Sequence, residues 1–484
     1  MASAEHEAMR LFELVLDLWE EVEEPETLTG TTKARIVYRL ATLYGDFAIE
    51  VVKAQELLEE QITAGVSDPA MLALLYVTKG NHLWQAGDID AGIEMEQIGL
   101  ALVENEPPSP ERAEVLAGYA GRLMTNGHYH EAIVAGEAAL DALKTVESTR
   151  AEIAVATALA TAYGSIGDLV SSERWFERLS ELAKETGWIR SRLVQYMNHG
   201  EVFRTNGLYA EASESLGRGI AESRDLGVER WTAALLANAA EVELMVGRWD
   251  DAIGYLDEAP DFAELDFSEL TVIGKRLLVA AERGDHESFD TAMARLEGYD
   301  VANQEPQVNA SIWIAMISHM RWGGNLEAAY DLASVALDNH KDVDPWTETA
   351  NLASLAMEVV ADAVAAGTAS DSWIEAARDW NEQLQRSDAP GPHVTVHKAL
   401  AMAYLASAEG TPDPALWQAA IDESPQRPYL RARAQVRLAM ALDPNDPAVT
   451  RLLEEARATA TDLRAEPLLS MIADVQRRAV VDDS

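Results

Sequence analysis

The chain has 484 residues, no cysteine and a formal net charge of −44, from 82 acidic and 38 basic side chains. Without cysteine there are no disulfides, thiolate nucleophiles or cysteine-bound zinc. Negative charge this dense repels phosphate backbones and anionic lipid surfaces, so neither direct nucleic-acid binding nor membrane association is expected.

Apolar residues make up 48% of the chain, enough to bury a large core. Alanine, leucine and glutamate dominate and strand-like alternation is missing, which points to helix throughout. The opening residues Met1-Ala2-Ser3-Ala4-Glu5-His6 are polar and acidic, unlike a cleavable leader. No stretch approaches the ~18 apolar residues of a membrane helix, so a cytoplasmic location is expected. The first helical pattern should end in Glu20-Glu21-Val22-Glu23-Glu24-Pro25-Glu26, at its proline.

From there glycines mark a repeat. Gly45 and Gly87 are 42 residues apart, and Gly87, Gly127, Gly167, Gly207 and Gly247 follow at intervals of 40. Gly284, Gly324, Gly367 and Gly410 continue at 37, 40, 43 and 43. Each glycine separates two amphipathic patterns. Before Gly127, the stripe Val115, Leu116, Tyr119, Ala120 and Leu123 has helical spacing; after it, Ala132, Ile133, Ala135, Ala139, Leu140 and Leu143 do the same. A glycine there suits the left-handed residue that ends a helix, and the short turn makes the next helix antiparallel.

Two small positions also recur. Gly80, Ala120, Ala160, Gly200 and Ala240 stand seven residues before the turn glycine, and Gly92, Ala132, Ser172, Ala212, Ala252 and Ala329 five after it. Close helix crossings need small side chains at the contact. The last turn carries Asp443 in place of glycine, 33 residues after Gly410, and atypical terminal units are what caps look like. The segment Asp388-Ala389-Pro390-Gly391-Pro392 interrupts the array. The expected organisation is a repeat array over 1–388, then less regular repeats and a capping helix over 389–484.

This small–turn–small grammar resembles the tetratricopeptide repeat (TPR), with a period longer than the usual 34 residues. The expected fold is an all-α, right-handed TPR-like solenoid of about eleven helix pairs. Longer segments resemble the maltose-activator-like TPR sensor region of the large ATP-binding transcriptional regulators of the LuxR family. They are Glu106-Pro107-Pro108-Ser109-Pro110-Glu111-Arg112-Ala113 leading to Gly127-His128-Tyr129-His130-Glu131-Ala132, the run from Trp231 to Glu241 leading to Gly247-Arg248-Trp249-Asp250-Asp251-Ala252, and Pro412-Asp413-Pro414-Ala415-Leu416-Trp417 followed by Arg427-Pro428-Tyr429-Leu430-Arg431-Ala432-Arg433. The resemblance spans nearly the whole chain and implies an effector-sensing arm. The ATPase and helix-turn-helix of such regulators are not matched. Gly274-Lys275 lacks the upstream glycine of a phosphate loop, and no basic helix-turn-helix is expected to follow Val480-Val481-Asp482-Asp483-Ser484. The expectation is a sensor arm alone, or a stand-alone adaptor of the same build.

No catalytic constellation stands out, and neither an enzymatic activity nor a cofactor is expected. His128 and His130 flank a turn without a third ligand. His393 and His397 share a helix face but lack the glutamate of a zinc-protease motif. Trp175 and Trp249 read as core residues.

In TPR peptide binders the inner face presents positions ten, nine, six and three residues before the turn glycine. The resemblance carries these onto Asn81 and Trp84, Met124, Thr161, then Met197, Asn198, Glu201 and Arg204, then Asn238 and Glu241, and finally Arg321. Ala117, Gly121, Thr157, Leu244, Ile314 and Ser318 occupy the same register. The paired asparagines and glutamates offer donors and acceptors suited to a backbone or a hydroxyl, and Arg204 suits a carboxylate or phosphate. The expected partner is a protein or peptide segment or a small-molecule effector.

Overall fold

A computed structural model of the chain describes residues 4–46, 50–85, 88–262, 265, 267–301, 306–341, 347–387 and 391–482. Gly87 and the Asp388–Pro390 segment lie outside these residues. Among the described residues there are twenty-five helices and no strand. Eleven consecutive pairs run from Lys33–Asp46 with Val51–Ala64 to Pro428–Ala441 with Pro447–Leu463, and Glu466–Asp482 follows as a last single helix. The all-α repeat architecture is the one the glycine spacing predicts.

The turns explain the regularity. Gly127, Gly167, Gly207, Gly247, Gly284, Gly324, Gly367 and Gly410 all adopt positive φ, between 70° and 84°. At Gly247 the glycine N–H donates to Leu244 O at 3.3 Å and the next N–H, of Arg248, reaches back to Glu243 O at 2.8 Å. These two hydrogen bonds satisfy carbonyls in the last turn of the first helix and turn the chain into the second. Gly45 departs from the series: it lies inside the Lys33–Asp46 helix.

The small positions meet as expected. A Cβ built on Gly80 would lie 2.8 Å from Gly92 O, and Ser172 Oγ donates to Ala160 O at 2.7 Å. Ala120, Ala132, Ala212, Ala240 and Ala252 are fully buried.

One boundary needs correcting. The first helix ends at Leu18, and Pro25 does not stop it but opens the short Pro25–Thr29 helix. Proline is well placed at a first helical position, where its missing N–H costs no bond. Among the described residues no helix is long and apolar enough to cross a membrane.

The chain divides into two compact units, Met1–Tyr163 with Val170–Ser191, and Gly164–Leu169 with Arg192–Ser484. In the first, Leu40, Tyr44, Leu58 and Leu75 form one core and Ala113, Ala117, Val155 and Leu159 another. In the second, later helices pack back on earlier turns. Pro392 sits against Gly207, Pro428 against Gly247 and Pro467 against Gly284. Arg283 Nε donates to Leu463 O, 180 residues away, at 3.1 Å. Asp250 bridges Arg283 at 2.6 Å and Arg464 at 2.8 Å.

Candidate functional site

This return of later helices encloses a space in the second unit. One wall is made by the first helices of successive pairs, Glu229–Met245, Phe267–Arg283, Pro306–Trp322 and Thr347–Ala365; the other by Pro392–Ala408 and Pro428–Ala441. The cavity between them has a volume of about 110 Å³. Leu244, Met245, Leu278, Ile314 and Leu355 supply apolar lining.

Its polar lining is charged and largely paired. Glu241 accepts from Lys275 at 2.8 Å and lies 3.4 Å from Arg204, whose side chain is 3% exposed. Burial works against the Glu241 carboxylate, but the Arg204 and Lys275 charges overcome it and hold its pKa at about 2. Glu282 accepts from the Tyr429 hydroxyl and from Trp322 Nε1 at 3.1 Å. Burial, then this glutamate, pushes the Tyr429 hydroxyl well above its usual range.

Behind the wall, Glu358 is met by Arg321 at 2.7 Å, Arg437 at 3.1 Å and Arg433, and Asp362 by Arg321 at 2.8 Å and Arg437 at 2.6 Å. Burial raises the Asp362 pKa, but Arg437 and Arg321 outweigh it and hold the carboxyl below its usual range. Arg427 lines the cavity beside them. It donates to His393 Nδ1 and hydrogen-bonds the Tyr209 hydroxyl.

Of the residues expected at the inner face, Glu241 lines the cavity directly, with Leu244, Ile314 and Ser318 of the same register. Arg204 stands behind Glu241, paired with Glu201 at 2.6 Å. Arg321 is buried in the Glu358 network, its guanidinium 4.0 Å above the Trp322 ring. Met197 and Asn198, on the Ile189–Thr205 helix, and Asn238, on the Glu229–Met245 wall helix, are half-buried and are not part of the lining.

The other four belong to the first unit. Asn81 accepts from Arg122, and the same guanidinium stacks 4.6 Å over Trp84 and pairs with Glu96 at 2.9 Å. Met124 packs against Ala120, Ala135 and Ala158, and the Thr161 hydroxyl donates to Thr157 O at 3.0 Å in its own helix.

The histidines sort similarly. His393 and His397 do share a face, with ring centroids 4.9 Å apart, but Nδ1 of His397 is bonded to Ser354 at 2.7 Å. Among the described residues no cluster of three or more metal-ligating side chains occurs. Trp249 is buried as expected, donates to Leu244 O at 3.0 Å, and also forms part of the cavity wall.

Lys275, Glu282, Glu358, Arg427 and Arg433 were not anticipated from the sequence. Lys275 and Glu358 did carry a signal: each lies nine residues before a turn glycine, Gly284 and Gly367. Arg427 and Arg433 belong to one of the segments that carries the family resemblance, but nothing local ties them to residues some repeats earlier.

No family model and no curated protein matches the chain. Solved structures do resemble it. A Rap protein complexed with competence and sporulation factor is 15% identical over 70% of this chain and 95% of its own length, with a TM-score of 0.52. Yeast Tom70 is 13% identical over 92% of this chain and 96% of its own, with a TM-score of 0.34. In the Cut9–Hcn1 assembly the matched chain is 12% identical over 99% of this one and 96% of its own, with a TM-score of 0.32. At 15% identity the likeness to the Rap protein speaks to fold alone, in keeping with the all-α solenoid of TPR-like helix pairs seen here.

Proposed function

We propose that this chain is a non-enzymatic binding solenoid whose second unit holds a compact ligand, a small-molecule effector or the end of a short peptide. The observation that carries the reading is the cavity. Its lining combines apolar walls with a few fixed polar groups, as small-molecule sites do. A long segment laid along an open inner groove has less support, because Arg433 and Arg437 of a later helix already occupy Glu358 and Asp362 of the inner face.

A ligand in the cavity would touch helices drawn from repeats far apart in the chain. Its binding energy would therefore favour one arrangement of those repeats over others, which is the physical basis of sensing. The sequence resemblance supports an effector-sensing arm of a LuxR-type transcriptional regulator. The Rap protein of similar fold, solved in complex with competence and sporulation factor, is in keeping with ligand binding on such a scaffold. An adaptor for a protein partner is the alternative, and it needs no ligand in the cavity.

The test is a thermal-shift panel of metabolites and short peptides on the wild-type chain and on Asn351→Trp, which fills the cavity from a partly exposed wall position. The expected result is stabilisation of the wild type by a compact ligand and none of the variant by the same ligand. Equal shifts in both proteins would move the site elsewhere.

A further inference from the structure

The cavity walls contain one cation that differs from the rest. Glu241 is held by Arg204 and Lys275, and Glu358 and Asp362 by three arginines. Arg427 forms no ion pair among the described residues. Its two hydrogen-bond partners, His393 Nδ1 and the Tyr209 hydroxyl, carry no negative charge. Arg427 is half-buried, and a guanidinium partly withdrawn from water without an ion-pair partner is costly to keep. Burial lowers the pKa of this group, and the charge of Arg204 adds to that lowering, against the opposing pull of Tyr209 and Glu241.

The backbone adds to the same field. Arg427 is the N-cap of Pro428–Ala441, and His393 is the second residue of Pro392–Ala408. Neither helix has a side-chain cap at its N-terminus. His393, Tyr429 and Leu430, all in these first turns, line the cavity with Arg427. First-turn N–H groups lack intrahelical partners and carry partial positive charge, so both helix ends favour an anion in front of them.

We infer that the ligand of this cavity bears a carboxylate, and that Arg427, flanked by the first turns of the two helices, is its counter-charge. This rests on the cavity being a ligand site as proposed above. A carboxylate suits the planar guanidinium fork. A single negative charge also balances Arg427, whereas a phosphate dianion would exceed it in a wall that already holds Glu241 and Glu282. The same chemistry is offered by a peptide C-terminus and by a small organic acid.

Three probe pools distinguish these sources: N-acetylated tripeptides with free C-termini, the same tripeptides amidated, and monocarboxylic organic acids of similar size. Each is titrated into the full-length chain by thermal shift and calorimetry. One or both carboxylate pools should bind, and the amides about tenfold more weakly or worse. Arg427→Gln should abolish the preference for acid over amide, and Arg427→Lys, which keeps the charge but not the fork, should retain only part of it. Which carboxylate pool binds identifies the source. Amides that bind the wild type as well as acids do would overturn the carboxylate while leaving a ligand cavity. Absence of binding by both carboxylate pools would overturn it as well, as would an Arg427→Gln protein that keeps the acid preference. The acid–amide comparison needs no variant, so it stands even if Arg427→Gln does not fold.

Discussion

Replacing Gly247 by alanine tests whether the later helices seal onto the earlier turns. The residue has φ of +80°, and a Cβ built there would lie 2.5 Å from Pro428 Cγ and 3.6 Å from Leu463 Cδ2. Left-handed backbone alone costs alanine about 1–2 kcal/mol. The proline belongs to backbone at a helix start and cannot swing aside as a flexible side chain can, so crowding should add about 1–3 kcal/mol. Gly367 is the matched control: its φ is +70° and nothing lies within 4 Å of its built Cβ. Gly367→Ala should therefore cost only about 1–2 kcal/mol, and Gly247→Ala about 2–5 kcal/mol. Urea unfolding followed by circular dichroism, compared at equal m-value, gives both numbers. Equal losses would show that Pro428 does not press on the Gly247 turn, and the cavity would lose its second wall.

Other perturbations bear on the same unit. Glu358 is 1% exposed and meets three arginines, so Glu358→Ala should destabilise by about 3–5 kcal/mol in chemical unfolding, because it strands buried positive charge. His397 is buried, and burial followed by the Arg427 charge holds its pKa well below 6.5. Its neutral form is favoured in the fold, so the unfolded chain takes up the proton first as pH falls. Stability should be unaffected by this group above pH 6.5 and should fall below it, by about 1.4 kcal/mol per unit until the folded-state pKa is reached. His397→Gln should remove that part of the slope, and an unchanged slope would refute the assignment. Asn198→Ala with Asn238→Ala should shift stability by less than about 1 kcal/mol and leave affinity for a cavity ligand unchanged. Weakened binding would extend the site along the inner face.

Much of this architecture was legible in the sequence, because a repeat writes its local constraints many times over. The turn glycines and the small crossing residues follow from one pair of helices and its neighbour. The inner-face register, applied at Gly284 and Gly367, points to Lys275 and Glu358 as readily as to Glu241. What was not legible is the return of the later helices. Contacts such as Gly247 with Pro428 and Arg283 with Leu463 depend on small rotations accumulated over several repeats. No local period records that sum. The inner face consequently read as an open groove, whereas Arg427, Tyr429 and Arg433 close it into a cavity. Pro25 shows the same limit on a short scale: a proline ends one helix or starts the next, and here it starts one, after Glu24 in left-handed conformation.

Native mass spectrometry of the full chain isolated from its source cells, before and after denaturation, tests the central claim most directly. Asn351→Trp expressed in the same cells is the comparison. A small mass should leave the wild-type protein on denaturation and never accompany the variant. The same mass on both proteins, or no small mass on either, would contradict a ligand site in this cavity.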